Sequence, residues 1–149
     1  MRFLSHMPAA LDQARAAAQR GEVPVGAVLC DPTGRPVAAD GNRTRELFDP
    51  TAHAEVLTIR AACRAAQSER LPGYSLWVTL EPCPMCAAAI SAARIKTLYF
   101  GAADPRMGGV LHGARVFSHP QCHHRPHVFD GIEAAASTAL LRQFFDARR

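Results

Sequence analysis

Hydrophobic and polar residues alternate along the chain with two different periods, which predicts a succession of helices and strands. Residues 8–20 place Leu11, Ala14 and Ala18 on one side of a helix that Gly21 would end. Short apolar runs rich in β-branched and aromatic residues predict strands between the helical segments. In chain order we predict a helix over 8–20, strands over 22–30 and 35–40, a helix from about 53 to 67, a strand over 75–80, a helix beginning at Pro84, a strand over 95–100, a short strand over 127–130 and a helix over 131–149.

Turn residues and glycines separate these elements. The sequence Asp31-Pro32-Thr33-Gly34 predicts a turn, which makes residues 35–40 the hairpin partner of the preceding strand. That partner is expected at a sheet edge, because Pro36 has no N–H to donate to a ladder. Residues 75–80 form a short apolar run, which favours the central strand. Residues 101–113 are polar, rich in glycine and without periodicity, so we predict a loop there.

The alternation of strands and helices predicts an α/β fold in one domain. The expected architecture is a mixed, mostly parallel sheet with helices on both faces. A chain of 149 residues is long enough to bury a hydrophobic core. No internal repeat, linker or low-complexity segment interrupts the sequence, so residues 1–149 are assigned to a single domain.

Candidate chemistry is concentrated in His53, Glu55, Cys83 and Cys86. One histidine and two thiolates provide three protein ligands to a zinc ion and leave the fourth tetrahedral position open for water, as in catalytic sites. A carboxylate two residues from the ligating histidine is placed to move protons to and from that water. These residue types therefore predict a hydrolytic zinc site with Glu55 as the proton-transfer group.

Helix geometry restricts where such a site lies. Residues i and i+2 are ~200° apart around a helix, so they do not face the same way. His53 and Glu55 therefore serve one metal only at a helix entrance, where His53 is not yet helical. Asp49 and Thr51, just upstream, are the expected capping residues.

The second half of the site is predicted at the start of another helix. Pro84 suits the first helical turn, and Cys83 and Cys86 at i and i+3 share one face. The helix N-terminus stabilises both as thiolates. The same Cys-x-x-Cys spacing occurs in thioredoxin-like redox motifs, but His53 and Glu55 favour zinc.

Several short segments resemble one known family. A His-x-Glu pattern followed by Pro-Cys-x-x-Cys is the signature of the zinc-dependent nucleobase deaminases. Together with flanking segments, it resembles the bacterial tRNA-specific adenosine deaminases over nearly the whole chain. The flanking segments are residues 22–28, Gly41-Asn42-Arg43, residues 49–55, Tyr99 to Ala102 and Phe144-Phe145.

The resemblance implies a fold, a cofactor and an activity. The fold is the three-layer α/β/α cytidine-deaminase-like arrangement, with a five-stranded mixed sheet and an antiparallel hairpin at one edge. One Zn²⁺ per subunit is held by His53, Cys83 and Cys86. The implied reaction is hydrolytic deamination of adenosine to inosine at the wobble position of a tRNA anticodon loop, by attack of zinc-activated hydroxide on C6 with Glu55 as proton shuttle.

The resemblance also implies contacts to the RNA and a homodimer. The expected partner is the tRNA anticodon stem-loop, and the residues expected at the substrate are Asn42, Ala54, Arg106, Phe145 and Arg148. With Arg106 and Arg148, two further arginines, Arg142 and Arg149, are expected on stem phosphates. An asparagine after a glycine is by itself more often a turn residue, so a base contact at Asn42 depends on the family alone.

Net charge permits such a partner without identifying it. The formal charge is +4, and Lys96 is the one lysine among 17 basic residues. A moderate positive balance allows binding to phosphate-rich molecules, but arginines on solvated faces account for it equally well.

No targeting or membrane segment is expected. The N-terminal 23 residues carry five charged side chains, Arg2, Asp12, Arg15, Arg20 and Glu22, so they lack the apolar core of a signal peptide. No uncharged run approaches the ~20 residues of a membrane span. We therefore expect a cytoplasmic protein without membrane contact.

The cysteines and histidines outside the predicted zinc site have to be considered separately. Cys30 and Cys63 are expected to be small buried apolar residues. Histidines and a cysteine cluster within residues 119–127, which raises the hypothesis of a second metal site. Their spacing matches no metal motif and prolines interrupt it, so a solvated loop is favoured. Histidines near a substrate channel are also able to stack on bases.

Two other functions have to be weighed against tRNA deamination. A deaminase of a free base or nucleoside, of the guanine or cytosine type, would keep the same metal residues. The segments around Asn42 and Phe144-Phe145 favour the tRNA enzyme. A non-catalytic zinc module would need a fourth protein ligand and no neighbouring carboxylate, so Glu55 argues against it.

Overall fold

A computed structural model describes residues 3–149, so Met1 and Arg2, and with them the charge counted at Arg2, lie outside the described residues. Within this range the helices and strands form three layers with the sheet in the middle. The elements are α1 (Met7–Gln19), β1 (Gly26–Cys30), β2 (Pro36–Gly41), α2 (Ala54–Ala66), β3 (Ser75–Leu80), α3 (Pro84–Ala92), β4 (Thr97–Ala102), β5 (His127–Phe129) and α4 (Ala134–Asp146). A short 3-10 turn over Val116–Ser118, which was not predicted, lies between β4 and β5.

The sheet has the strand order β2-β1-β3-β4-β5. β1 runs antiparallel to both β2 and β3, whereas β3, β4 and β5 run parallel to one another. The predicted mixed sheet, the edge hairpin and the central position of residues 75–80 are confirmed. The pairing is less parallel than expected, because β1 is inserted between two strands that run the opposite way.

β1 begins at Gly26, later than the predicted start at Glu22. Before it, the N–H of Val25 donates back to the carbonyl of Val23, and Pro24 has no N–H to donate. Gly26 itself lies under α1, where an added Cβ would be 2.0 Å from the carbonyl oxygen of Ala10. The strand therefore starts where the approach of α1 leaves room only for glycine.

Two hydrophobic cores lie on the two faces of the sheet. α2 and α3 cover one face over Leu76 and Phe100, and α1 packs on the other over Val28 and Trp77. α4 lies beside α1 on the second face. Neighbouring residues of a strand point to opposite faces, so the central strand contributes to both cores.

The burial of Cys30 and Cys63 and the length of the helices test two further expectations. Cys30 is buried as predicted, whereas Cys63 is only half-buried, because it lies towards the edge of the buried face of α2. In residues 3–149, no helix has the length and apolar character that crossing a bilayer requires.

Candidate metal centre and active site

The first half of the site is built by the N-terminus of α2. His53 is the residue that caps this helix and has extended backbone angles, φ −72° and ψ 154°. Glu55 lies in the first turn, so the change of backbone conformation between the two residues lets both serve one site. The prediction that the pair occupies a helix entrance is confirmed.

The predicted capping residues of α2 are wrong. Oδ1 of Asp49 accepts hydrogen bonds from the backbone N–H and the hydroxyl of Thr51, at 2.8 Å and 2.7 Å. These bonds close a local turn upstream of the helix, in which an aspartate bonds two residues ahead. His53 occupies the capping position without a side-chain capping bond, because its ring points to the metal site instead.

The second half is built by the N-terminus of α3, as predicted. Cys83 precedes the first helical residue and is extended, with φ −70° and ψ 170°, and Pro84 begins the helix. Cys86 follows in the first turn. β3 ends at Leu80, so this helix start lies at the carboxyl end of the central strand, where open α/β sheets commonly bind ligands.

The two helix starts bring three metal-ligand side chains together. Nδ1 of His53 lies 3.6 Å from Sγ of Cys83 and 3.4 Å from Sγ of Cys86. The three ligand atoms all lie within 4.8 Å of one another. A tetrahedral zinc ion with ordinary Zn–N and Zn–S bonds separates nitrogen and sulfur by about 3.6 Å. The residues therefore fit zinc, with Nδ1 as the histidine ligand atom.

The hydrogen bonds within this trio distribute its protons unequally. The pKa of Cys83 is lowered to about 4, first by a hydrogen bond from the Cys86 thiol and then by His53. The same bond, with burial, raises the pKa of Cys86, while the bond to Cys83 raises that of His53. Cys83 is thus a ready thiolate, and because a metal binds cysteine as the thiolate, metal binding releases the proton of Cys86.

Glu55 is the buried carboxyl group of the site. It is 3% exposed, and burial raises the pKa of its carboxyl above the usual range. A carboxyl group with a raised pKa accepts and returns a proton more readily near neutral pH. The arrangement therefore supports the predicted proton shuttle.

A cavity of about 300 Å³ opens beside these residues. Asn42 lies in its wall, and Oδ1 of Asn42 accepts the N–H of Ala54 at 2.9 Å. This bond fixes the orientation of the amide and leaves its amino group to donate to a ligand. The full lining is Val23, Val25, Asn42, Thr44, His53, Glu55, Leu80, Glu81, Cys83, Asp104 and Met107.

The other predicted substrate residues lie in different places. Phe145, Arg142 and Arg149 line a groove of about 430 Å³ that shares Val23, Leu80 and Asp104 with the catalytic cavity. Arg148 lies in a separate groove between α1 and α4, with its guanidinium 3.5 Å from the centre of the Phe144 ring. Arg106 is exposed. Ala54 is fully buried, with its N–H donated to Asn42. The RNA contacts of these residues stay predictions.

The histidine-rich segment does not converge on a metal. Within residues 3–149, His53, Cys83 and Cys86 are the group whose ligand atoms come this close. In the segment, ring nitrogens of His119 and His124 bond backbone carbonyls, and Sγ of Cys122 bonds the carbonyl of His124. A second metal site therefore has no support in the described part of the chain.

Several pocket residues were missed from the sequence. Thr44, Leu80 and Glu81 line the cavity because two segments distant in sequence meet there, which no spacing reveals. Asp104 and Met107 belong to the predicted loop over 101–113. The position of Glu81, two residues before Cys83, was the hint that it has a role.

The fold and this site define a class of protein, a zinc-dependent deaminase. The family model of the cytidine and deoxycytidylate deaminase zinc-binding region matches residues 3–102. The chain is 58% identical over 143 residues to a tRNA-specific adenosine deaminase of Agrobacterium fabrum, covering 96% of this chain and 93% of the relative. A Rickettsia bellii tRNA-specific adenosine deaminase is 43% identical, covering 93% and 97%.

A solved structure agrees with these relatives. It comes from a study of A-to-I editing by tRNA:A34 deaminases at the wobble position, and it superimposes with a TM-score of 0.89 at 57% identity. The match covers 91% of this chain and 99% of that one. The chain belongs to the tRNA-specific adenosine deaminase family of zinc-dependent deaminases.

Proposed function

We propose that the protein deaminates adenosine to inosine at the wobble position of a tRNA anticodon loop. The observation that carries the proposal is the cluster of His53, Cys83 and Cys86 beside a cavity that the buried carboxyl of Glu55 also lines. Relatives that match this chain along almost their whole length are tRNA-specific adenosine deaminases, which supports the choice of substrate.

The chain's own residues account for the proton transfers of the reaction. His53, Cys83 and Cys86 would hold a zinc ion, which would supply a Lewis acid that lets water ionise near neutral pH. Glu55 accepts a proton from the water that attacks C6 and delivers it to N1 of the ring. Glu55 then moves the remaining proton of the hydroxyl on C6 to the exocyclic amine, the C6–N bond breaks, ammonia leaves, and the C6 carbonyl of inosine forms. The amino group of Asn42 donates to the purine edge and holds the base in the cavity.

The RNA itself is accommodated by the groove beside the cavity. Anticodon loops are single-stranded, so a base can be unstacked and inserted into a pocket. The groove lined by Arg142, Phe145 and Arg149 continues from the catalytic cavity and offers positive charge and an aromatic ring to neighbouring nucleotides. Arg106 and Arg148 lie outside this groove, and we propose that they contact phosphates of the same RNA.

The test compares substrates on the zinc-loaded protein. We expect inosine and ammonia from an anticodon stem-loop with adenosine at the wobble position, and no product from the same stem-loop with that adenosine replaced by guanosine. Free guanine, cytosine and adenosine are assayed in parallel. Product from free bases alone would identify a nucleobase deaminase, and no product from any substrate would point to a non-catalytic zinc module.

Oligomeric state and location belong to the same proposal. We propose a homodimer that uses the exposed side of α3, where a groove of about 390 Å³ is lined by Ala88, Ala92 and Val116 among others. Sedimentation velocity on the purified protein tests it, with a monomer as the contrary result. A tRNA substrate, as in the relatives, supports a cytoplasmic location.

A further inference from the structure

Two carboxylates outside the metal site are buried near the catalytic cavity: Glu81 lines it, and Glu22 precedes its lining residue Val23. Glu22 and Glu81 are each 2% exposed. Burial of a carboxylate is costly unless its oxygens are well hydrogen-bonded. Among the ion pairs of residues 3–149, none joins either carboxylate to a lysine or an arginine. Their burial therefore has to be explained by other donors.

Glu81 is surrounded by the loop that follows β4. Its Oε1 accepts the backbone N–H of Asp104 at 3.0 Å and Nδ1–H of His112 at 2.7 Å. Its Oε2 accepts the backbone N–H groups of Val110, Leu111 and His112 at 3.1, 2.9 and 3.0 Å. These five hydrogen bonds leave the carboxylate no free acceptor site, since a carboxylate ordinarily accepts about four. Glu81 is thus committed to the loop and is not a second proton shuttle.

The same loop forms one wall of the catalytic cavity. Asp104 and Met107 line the cavity, and Oδ1 of Asp104 accepts the N–H of Met107 at 3.0 Å. A Cβ added to Gly108 would lie 2.7 Å from Oε2 of Glu81, and one added to Gly109 would lie 2.5 Å from the backbone nitrogen of Pro84. The loop is therefore pressed against Glu81 and against the segment that carries Cys83.

Glu22 makes the corresponding contact with a second wall. Its Oε1 accepts the N–H of Arg45 at 3.2 Å and the hydroxyl of Thr44 at 3.4 Å, and its Oε2 accepts the N–H of Glu46 at 2.9 Å. This loop contributes Asn42 and Thr44 to the cavity and leads on to His53. One carboxylate thus holds each of the two loops that line the cavity.

Both loops lack the regular hydrogen bonds of helices and strands. Backbone N–H groups that are buried or partly buried need partners, and several of the partners here are the oxygens of these two side chains. The shape of each wall therefore depends on a carboxylate behind it. We propose that Glu22 and Glu81 are positioning residues that hold the two loop walls in the shape that binds the target nucleotide, an inference that rests on the proposed function.

Conversion of each glutamate to glutamine tests the proposal with little change of shape. In Glu81→Gln, either orientation of the amide turns its NH₂ group towards N–H donors of the loop. We expect KM for the anticodon stem-loop to rise about tenfold, as for the net loss of one hydrogen bond to a charged group. We expect kcat to fall less, because Glu55 and the zinc ligands are unchanged. Zinc content should remain at the wild-type value.

Amide hydrogen exchange supplies a readout that does not depend on activity. In Glu81→Gln we expect faster exchange at residues 110–112 with normal exchange at Arg45 and Glu46. In Glu22→Gln we expect the reverse. In both variants the amides of β3 should exchange as in wild type, which separates loop release from global destabilisation.

His112 provides a milder version of the same test. Its side chain is 39% exposed, so His112→Ala is expected to fold while losing the 2.7 Å bond to Glu81. The rise in KM should be smaller than in Glu81→Gln, and His112→Asn, whose amide nitrogen can replace Nδ1–H as donor, should restore wild-type KM. His127→Ala, in the exposed edge strand β5, is the matched control and should leave KM unchanged.

The outcomes separate the possibilities. Unchanged exchange in both loops, or an unchanged KM in both glutamine variants, overturns the positioning role. Loss of zinc from Glu81→Gln also overturns it, because Glu81 would then support the metal site instead. A wild-type protein that does not deaminate the stem-loop refutes the proposed function, while the exchange measurements still decide whether the carboxylates hold the loops.

Discussion

At the scale of single residues, three buried glutamates differ in the hydrogen bonds that surround them. Glu55, Glu22 and Glu81 are all nearly inaccessible to solvent. Hydrogen bonds from loop amides and His112 hold the pKa of Glu81 below its usual range although burial alone would raise it. The hydrogen bonds to Glu55 offset its burial only in part, so the pKa of Glu55 is raised. The donors around each carboxyl group, more than its depth, set the direction of its pKa shift, which supports Glu55 as the proposed proton shuttle.

Substitution of Glu55 tests this division directly. Glu55→Ala is expected to retain zinc, because the three ligands are unchanged, and to lose a factor of about 10²–10⁴ in kcat, the usual contribution of a general acid–base group. Inosine formation and zinc content by mass spectrometry provide the two measurements. Cys83→Ala, as the companion variant, should lose both zinc and turnover. Near-normal deamination by Glu55→Ala would refute the proton-shuttle role.

At the scale of secondary-structure elements, the N-termini of α2 and α3 build the metal site. α2 and α3 each present an extended residue followed by a first turn, and the metal trio spans the two. Behind them, β1 passes so close to α1 that Gly26 has no room for a side chain. The position of the active site thus depends on how helices meet strands, and each contact predicts a measurable effect.

A methyl group at Gly26 is expected to push α1 away from the sheet. The nearest contacts of the added Cβ are backbone atoms of Ala10 and Ala14, at 2.0 Å and 2.5 Å, which cannot rotate aside. Gly26→Ala should therefore lower the free energy of unfolding by about 1–3 kcal/mol or more, as for overpacked cores. Urea denaturation measures the change, and an unaltered midpoint would contradict the described contact between α1 and β1.

Removal of zinc is expected to loosen the two helix starts together. A ligand bound only by the folded state stabilises it by about 4 kcal/mol at a thousandfold excess over its dissociation constant. Treatment with a strong chelator should lower Tm and abolish turnover, and added zinc should restore both. The metal-free Cys83→Ala variant is the control, since a chelator should not change its Tm.

At the scale of the whole molecule, the groove beside the catalytic cavity sets the expected path of the RNA. Arg142 and Arg149 line that groove, whereas Arg148 lies between α1 and α4 and stacks on Phe144. The four arginines predicted on phosphates from the sequence thus occupy three different surroundings. Their contributions to RNA binding are expected to differ accordingly.

Salt dependence of RNA binding distinguishes these arginines. Each phosphate contact contributes about 0.7 to the slope of log K against log salt for a single strand and about 0.9 for a duplex such as the stem. Arg142→Ala and Arg149→Ala should each lower the slope by about that amount, and Arg106→Ala and Arg148→Ala should lower it less. Arg64→Ala, exposed on α2, removes the same charge and should leave the slope unchanged. A slope unaffected by all four substitutions would exclude the predicted phosphate contacts.

Local patterns were sufficient for much of the fold and for the metal ligands. The periods of α1 and α4, the hairpin at Pro36 and the helix starts at His53 and Cys83 were predicted correctly, because each depends on neighbouring residues. The start of β1 and the caps of α2 were predicted wrongly. In those cases a contact from elsewhere, α1 over Gly26 and the metal site at His53, overrides the local preference.

The sequence by itself determined the candidate chemistry: a histidine and two cysteines at helix starts specify a zinc site, and the carboxylate beside them predicts a proton shuttle. Only the tertiary structure decided what surrounds that chemistry. The cavity walls come from loops distant in sequence, and Glu22 and Glu81 hold them through backbone amides, which every residue other than proline carries. Because those donors are common to almost all residues, no residue pattern reveals such contacts before the chain is folded.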